Sequence, residues 1–208
     1  MTDAGLLFVL SGPSGVGKGT VGRALRKRLP QLAYSVSVTT RPPRPGERDG
    51  VDYFFVAPPR FQEMIAQGEV LEWAEVYGHW YGTPRAFVEK LLRSHIDILL
   101  EIDTQGAMQV KERYPDAVTL FLLPPSLKEL RKRIERRGTE TREAAAERFR
   151  SAQVELTLAP RYDYAIVNDR LDEAVRRCEA VVVAEHCRSR RLRFPQYAAE
   201  INREEDIR

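Results

Sequence analysis

Apolar residues along this chain follow two rhythms. Continuous apolar runs occur at 6–10, 96–102, 117–123 and 164–168, as expected of strands buried on both faces. Between them, apolar positions recur every three or four residues, like one face of an α-helix. Val21, Ala24, Leu25 and Leu29 form one such stripe, stopped at Pro30. Phe87, Val88, Leu91 and Leu92 form another, in a helix predicted to start near Thr83-Pro84. Ser126-Leu127-Lys128-Glu129 reads as a capping box behind Pro124-Pro125. It opens a helix with Leu127, Leu130 and Ile134 inward, and Gly138 closes it. Residues 142–159 and 171–187 supply two more helices. Strands alternating with helices predict an α/β fold, a parallel sheet flanked by helices.

The stretch 34–83 breaks this rhythm. It holds short β-like pieces (34–40, 53–56 and 70–76) and one short helix, Pro59 to Gln67, ended by Gly68. That mixture reads as a mixed α/β lobe inserted into a core of 1–33 and 84–187, with 136–148 as a second, smaller excursion. The whole of 1–187 is expected to be a single domain, followed by a tail at 188–208.

Composition narrows the function classes. The 208 residues, 43% hydrophobic and 30% charged, are ordinary for one soluble domain. No apolar stretch approaches the roughly 18 residues of a membrane span, and Met-Thr-Asp-Ala-Gly lacks signal-peptide character. Cys178 and Cys187 lie nine apart in a helical pattern, poorly placed to bridge. A reduced, cytoplasmic protein without membrane attachment is the expectation. The net charge is only +3, with arginines clustered at 131–150 and 188–193. Arg forks suit the oxygens of small phosphorylated molecules, a better account of the first cluster than nucleic acid; the second reads as a solvated tail. His79, His95 and His186 make no metal-ligand spacing with either cysteine.

The strongest motif follows the first apolar run. Gly12-Pro13-Ser14-Gly15-Val16-Gly17-Lys18 is a G-x-x-x-x-G-K loop between a strand and a helix. Its glycines allow positive φ, so that successive N–H groups turn toward an anion. The helix behind it presents a positive N-terminus, and Lys18 adds an ammonium. A structural turn is the bland alternative. Gly19 stands where a metal-binding Ser or Thr is expected, and Thr20 follows one place later.

A second basic motif is Thr39-Thr40-Arg41-Pro42-Pro43-Arg44-Pro45-Gly46-Glu47. Polyproline II repeats every three residues, so Arg41 and Arg44 project from one side, roughly 9 Å apart. Tyr53 adds a hydroxyl after the Asp49-Gly50 turn. A proline-rich linker or a P-x-x-P ligand is the alternative. On the central strand, Glu101 and Asp103 share a face at the carboxyl end, with Glu101 at the Walker B position or in a structural ion pair. Arg133, Arg136 and Arg137 form a helical stripe, with Arg148 on the next helix; a solvated face is the alternative.

The set Thr39-Thr40-Arg41, Arg44, Glu47, Gly50 and Tyr53-Phe54-Phe55, behind Ser11 to Lys18, resembles guanylate kinase from about residue 5 to 186. The resemblance implies a P-loop kinase core, a GMP-binding lobe at 34–83 and a small helical lid at about 136–148. It implies reversible transfer of the γ-phosphoryl group of ATP to GMP, with Mg²⁺. Arg41, Arg44, Tyr53 and Tyr81 would hold the GMP phosphate; Ser37, Glu72, Thr83 and Asp103 would surround guanine. ATP would take Gly12 through Thr20 together with Arg133, Arg137 and Asn168. Lys18, Arg41, Arg137 and Arg148 would neutralise the transferring phosphoryl group. Thr20 and Glu101 are the metal candidates, acting through phosphates and water. Guanine's N1 and N2 donors suit a carboxylate such as Glu72, and a hydroxyl serves O6; a solvent-facing strand residue is the other reading of Glu72. A P-loop kinase for another phosphorylated substrate, or a non-catalytic phosphopeptide-binding module, are the competing functions. The sequence leaves a homo-oligomer open.

Overall fold

The computed structural model describes residues 4–136 and 142–191. In chain order the first elements are β1 (Leu7–Ser11), α1 (Lys18–Arg28), β2 (Ala33–Tyr34), β3 (Val38–Thr39), β4 (Phe54–Phe55) and α2 (Pro58–Ala66). Next come β5 (Val70–Val76), β6 (His79–Pro84), α3 (Arg85–Arg93), β7 (Ile98–Glu101) and α4 (Thr104–Arg113). The last are β8 (Val118–Leu123), α5 (Leu127–Glu135), α6 (Arg142–Leu156), β9 (Tyr164–Val167) and α7 (Leu171–His186).

Five strands form the core sheet in the order β2-β7-β1-β8-β9, every pair parallel. Their apolar residues alternate between two helical layers. Leu7 and Val9 pack with Val88, Ala107 and Val110 of α3 and α4, while Phe8 and Leu10 pack with Val21, Leu25, Val175 and Cys178 of α1 and α7. Burial on both faces is why these runs are continuously apolar. Because β1 lies between β7 and β8, the glycine loop leaves from the middle of the sheet, where open α/β sheets bind ligands.

The inserted lobe has its own sheet, β4-β3-β6-β5, closed by α2 over a small core of Val38, Phe61, Met64 and Val70. Gly68 (φ 67) follows that helix. α5 and α6 pair separately around Leu130, Ile134, Phe149 and Ala152. The capping box forms as expected, with Ser126 Oγ accepting from Glu129 N–H at 3.1 Å.

Two boundaries differ from the sequence reading. Tyr34 lies on β2, a strand of the core sheet paired with β7, so that piece does not belong to the lobe. Residues 79–84 form a full strand rather than a lead into a helix, and α3 starts at Arg85. Tyr77 (φ 52) and Gly78 (φ 76) make the two-residue turn between β5 and β6, with the positive-φ pair that such hairpins favour. The aromatic and polar run His79-Trp80-Tyr81 hid this strand. Arg137 and Gly138 lie outside the described residues, as does most of the tail.

Candidate active site

The loop after β1 has positive φ at Gly12 (142), Gly15 (82) and Gly17 (99). A Cβ on Gly12 would lie 2.6 Å from the Leu122 carbonyl oxygen, so only glycine fits there. Gly17 starts α1 without a side-chain cap, leaving the helix amides turned toward the cleft. Lys18 curls back, its Nζ donating to the Gly12 carbonyl at 2.6 Å. From behind, Asn168 Nδ2 donates to the Val16 carbonyl (2.8 Å), and Arg133 donates to the carbonyls of Asn168 (3.1 Å) and Val16 (3.4 Å). Arg133 and Asn168 therefore buttress the loop and do not line the cleft. On the open side, Arg148 donates to Ser14 Oγ at 2.8 Å, and Glu155 accepts from Ser14 N–H at 3.0 Å.

Facing the loop across a cleft of about 220 Å³ are Ser37, Arg41, Arg44, Tyr53, Tyr81 and Glu72, with Glu101 and Asp103 at its floor. The two arginines are held differently from the expectation of a shared polyproline face. Arg41 is buried, paired to Glu47 at 2.9 Å and bonded to the Pro42 carbonyl at 2.7 Å. Its guanidinium lies 5.3 Å from the Tyr53 ring centroid. Arg44 is exposed, and its backbone N–H donates to the second Glu47 oxygen at 2.8 Å. Glu47 thus staples the two arginines of one turn. Tyr53 and Tyr81 stand edge to face, centroids 6.0 Å apart. Burial and then the nearby Glu101 charge raise the Tyr53 phenol, which keeps it a donor.

Glu72 owes its position to a β-bulge. Val70 pairs with Pro84 and Trp73 with Gly82, so Leu71 and Glu72 together oppose the single Thr83. A bulge re-aims the side chain that carries it, and here Val70, Leu71 and Glu72 are all buried in succession. Glu72 is 2% exposed and accepts a 2.7 Å bond from Thr83 Oγ1. Burial pushes its carboxyl up to about 8; the Thr83 bond opposes that shift and the Asp103 charge adds to it. Asp103 is the N-cap of α4, its Oδ1 accepting from Gln105 N–H (2.7 Å) and Gly106 N–H (3.0 Å). Thr83 is fully buried behind Glu72 and does not itself line the cleft.

Glu101 ends β7 against α1. A Cβ on Gly19 would lie 3.2 Å from Glu101 Oε1, and one on Gly22 2.9 Å from Oε2. The longer Glu101 side chain thus occupies the space beside Gly19. Thr20 is exposed and outside the cleft, because one further helical residue turns by about 100°. Among the described residues no group of three or more His, Cys, Asp or Glu could hold a metal ion on its own. A single carboxylate beside the phosphate loop does fit a cation carried largely by phosphates and water.

Sequence reasoning missed Glu155, which reaches the loop from α6, and Tyr77, whose ring sits 5.3 Å from the Arg148 guanidinium. Both depend on long-range packing that no local pattern signals. The Glu47 staple had a local signal, an acid three residues after Arg44 in a proline-rich turn.

A parallel sheet with a glycine loop on its middle strand, facing an inserted lobe lined with Arg and Tyr, defines a P-loop kinase. Comparison with known proteins narrows this further. The guanylate kinase family pattern matches residues 5–185. Guanylate kinase of Halalkalibacterium halodurans is 53% identical over 190 residues, covering 91% of this chain and 93% of that protein. That of Caldanaerobacter subterraneus is 51% identical, covering 88% and 89%. The crystal structure of guanylate kinase from Anaplasma phagocytophilum matches with TM-score 0.78 at 35% identity, over 92% of this chain and 91% of that one. The chain belongs to the guanylate kinase family.

Proposed function

We infer that the cleft holds two nucleotides at once, GMP in the lobe and ATP on the glycine loop. The chain is an ATP:GMP phosphotransferase, a nucleoside monophosphate kinase. An oxygen of the GMP phosphate attacks the γ-phosphorus of ATP, the bond to the β-phosphate bridging oxygen breaks, and ADP and GDP result. The attacking oxygen is already anionic, so alignment and charge neutralisation do most of the work.

The observation that carries this reading is the shared cleft, with Lys18 and Arg148 on one side and Arg41, Tyr53, Tyr81 and Glu72 on the other. Arg41, Arg44, Tyr53 and Tyr81 are proposed to hold the GMP phosphate, and Ser37, Glu72 and Asp103 the guanine. Thr83 would act through Glu72. Residues Gly12 to Gly19 are proposed to cradle the ATP phosphates, with Arg133 and Asn168 acting from behind. Lys18 and Arg148 supply positive charge at the transferred group, and Arg137 is assigned to the same role by family likeness. Mg²⁺ would neutralise the β- and γ-phosphate oxygens, and Glu101 would orient its water shell. No helix among the described residues is long and apolar enough to cross a membrane. A cytoplasmic site of action accords with the unbridged Cys178 and Cys187.

The test is Glu72→Gln, which replaces one acceptor oxygen by a donor of nearly the same shape. The KM for GMP should rise by about 10²-fold, since a buried hydrogen-bonding site rejects a mismatched partner steeply. The near-ultraviolet circular dichroism should stay that of the parent. Unchanged GMP kinetics would remove Glu72 from the guanine site.

A further inference from the structure

Glu72 is carried by the lobe, yet one side of its surroundings belongs to a core helix. We propose that α4 determines guanine specificity from outside the pocket: Gly106, Gln109 and Arg113 together set the depth and aim of Glu72. This rests on the reading that Glu72 accepts the guanine donors.

The three residues are spaced by three and four, so they form one stripe on α4. Each meets one residue of the bulged segment of β5. Gly106 meets Glu72 itself: a Cβ there would lie 2.2 Å from Glu72 Oε2 and 2.9 Å from its Cδ. Thr83 holds Oε1 and the side chain is buried, so the carboxylate can yield only toward the cleft that it lines. Gln109 meets Trp73, its amide accepting from the backbone N–H at 3.3 Å and donating to the carbonyl at 2.7 Å. Arg113 donates to the Leu71 carbonyl. β5 is an edge strand of the lobe sheet, and these side chains take backbone bonds that a further strand would take. Gly106 N–H also bonds Asp103 Oδ1, so one glycine borders two of the three acidic groups of the pocket. The bulge aims Glu72, and α4 fixes how far it reaches.

These are positioning residues, since none of them touches the nucleotide in this account. Gly106→Ala suits its helix better than glycine does, so a loss of function would not come from α4 propensity. It should raise the KM for GMP by tenfold or more, while the KM for ATP changes less than about twofold. The preference for GMP over IMP, which lacks the 2-amine, should fall with it. In a double-mutant cycle with Glu72→Asp, the shorter acid should offset part of the Gly106→Ala defect, a non-additivity expected of residues in contact. Gln109→Met keeps volume and removes both bonds to Trp73, and should reproduce the selective GMP defect more mildly. Equal rises in the GMP and ATP constants, or additive effects in the cycle, would overturn the proposal. So would wild-type GMP kinetics in Gln109→Met if Gly106→Ala fails to fold. If Glu72→Gln itself leaves GMP kinetics unchanged, the guanine reading falls instead. A GMP defect in Glu72→Gln with none in the α4 variants would leave that reading standing and reject α4 alone.

Discussion

Burial, with the Asp103 charge adding to it and the Thr83 bond opposing it, lifts the Glu72 carboxyl to about 8, against an ordinary 4.5. Near neutral pH the ligand-free protein therefore holds a proton that an exposed glutamate would have lost. Guanine presents two donors, which only the ionised carboxylate can accept at both oxygens. GMP binding should then lower the Glu72 pKa and expel that proton, so affinity should rise with pH up to about 8 and level off above it. Calorimetry at pH 6.5 in buffers of different ionisation enthalpy should show close to one more proton released per GMP in the parent than in Glu72→Gln, where only the GMP phosphate has a proton to lose. Equal release in the two proteins would contradict the assignment. None of this was legible in Glu69-Val70-Leu71-Glu72, where a strand carboxylate ordinarily faces solvent. The bulge that turns it inward depends on Thr83, eleven residues away.

At the scale of elements, the glycine loop was the most legible feature, because its geometry is local. Gly12, Gly15 and Gly17 all take positive φ, and a strand and helix flank them as the motif requires. Lys18 is the side chain of this element that we propose for the chemistry. Lys18→Ala should lower kcat by about 10²-fold or more with the fold retained, as the loss of a charge aimed at the transferring group does; single-turnover assays would show this, and a retained rate would refute the role. What the motif could not reveal is its support. Asn168, Arg133, Arg148 and Glu155 reach the loop from more than a hundred residues away in sequence. Gly19 also gains a reason, since Glu101 fills the space beside it. β6 escaped because its turn, Tyr77-Gly78, places a bulky residue at positive φ where Asn or Gly is usual.

Across the whole molecule, the alternation of apolar runs and helical stripes was enough to predict the parallel core and the interrupting lobe. Their junction was harder to place, since β2 is only two residues long and looks like part of the insert. Function at this scale comes from bringing the loop at the middle of one sheet opposite a second sheet. Neither half alone can both hold a phosphoryl donor and choose its acceptor. The most direct measurement is ADP release from ATP with GMP, AMP, CMP or UMP as acceptor, using the intact chain and Mg²⁺. The kcat/KM for GMP should exceed that for each of the others by at least about 10⁴-fold, as hydrogen-bonding pockets allow. Comparable turnover of AMP, CMP or UMP would contradict this reading.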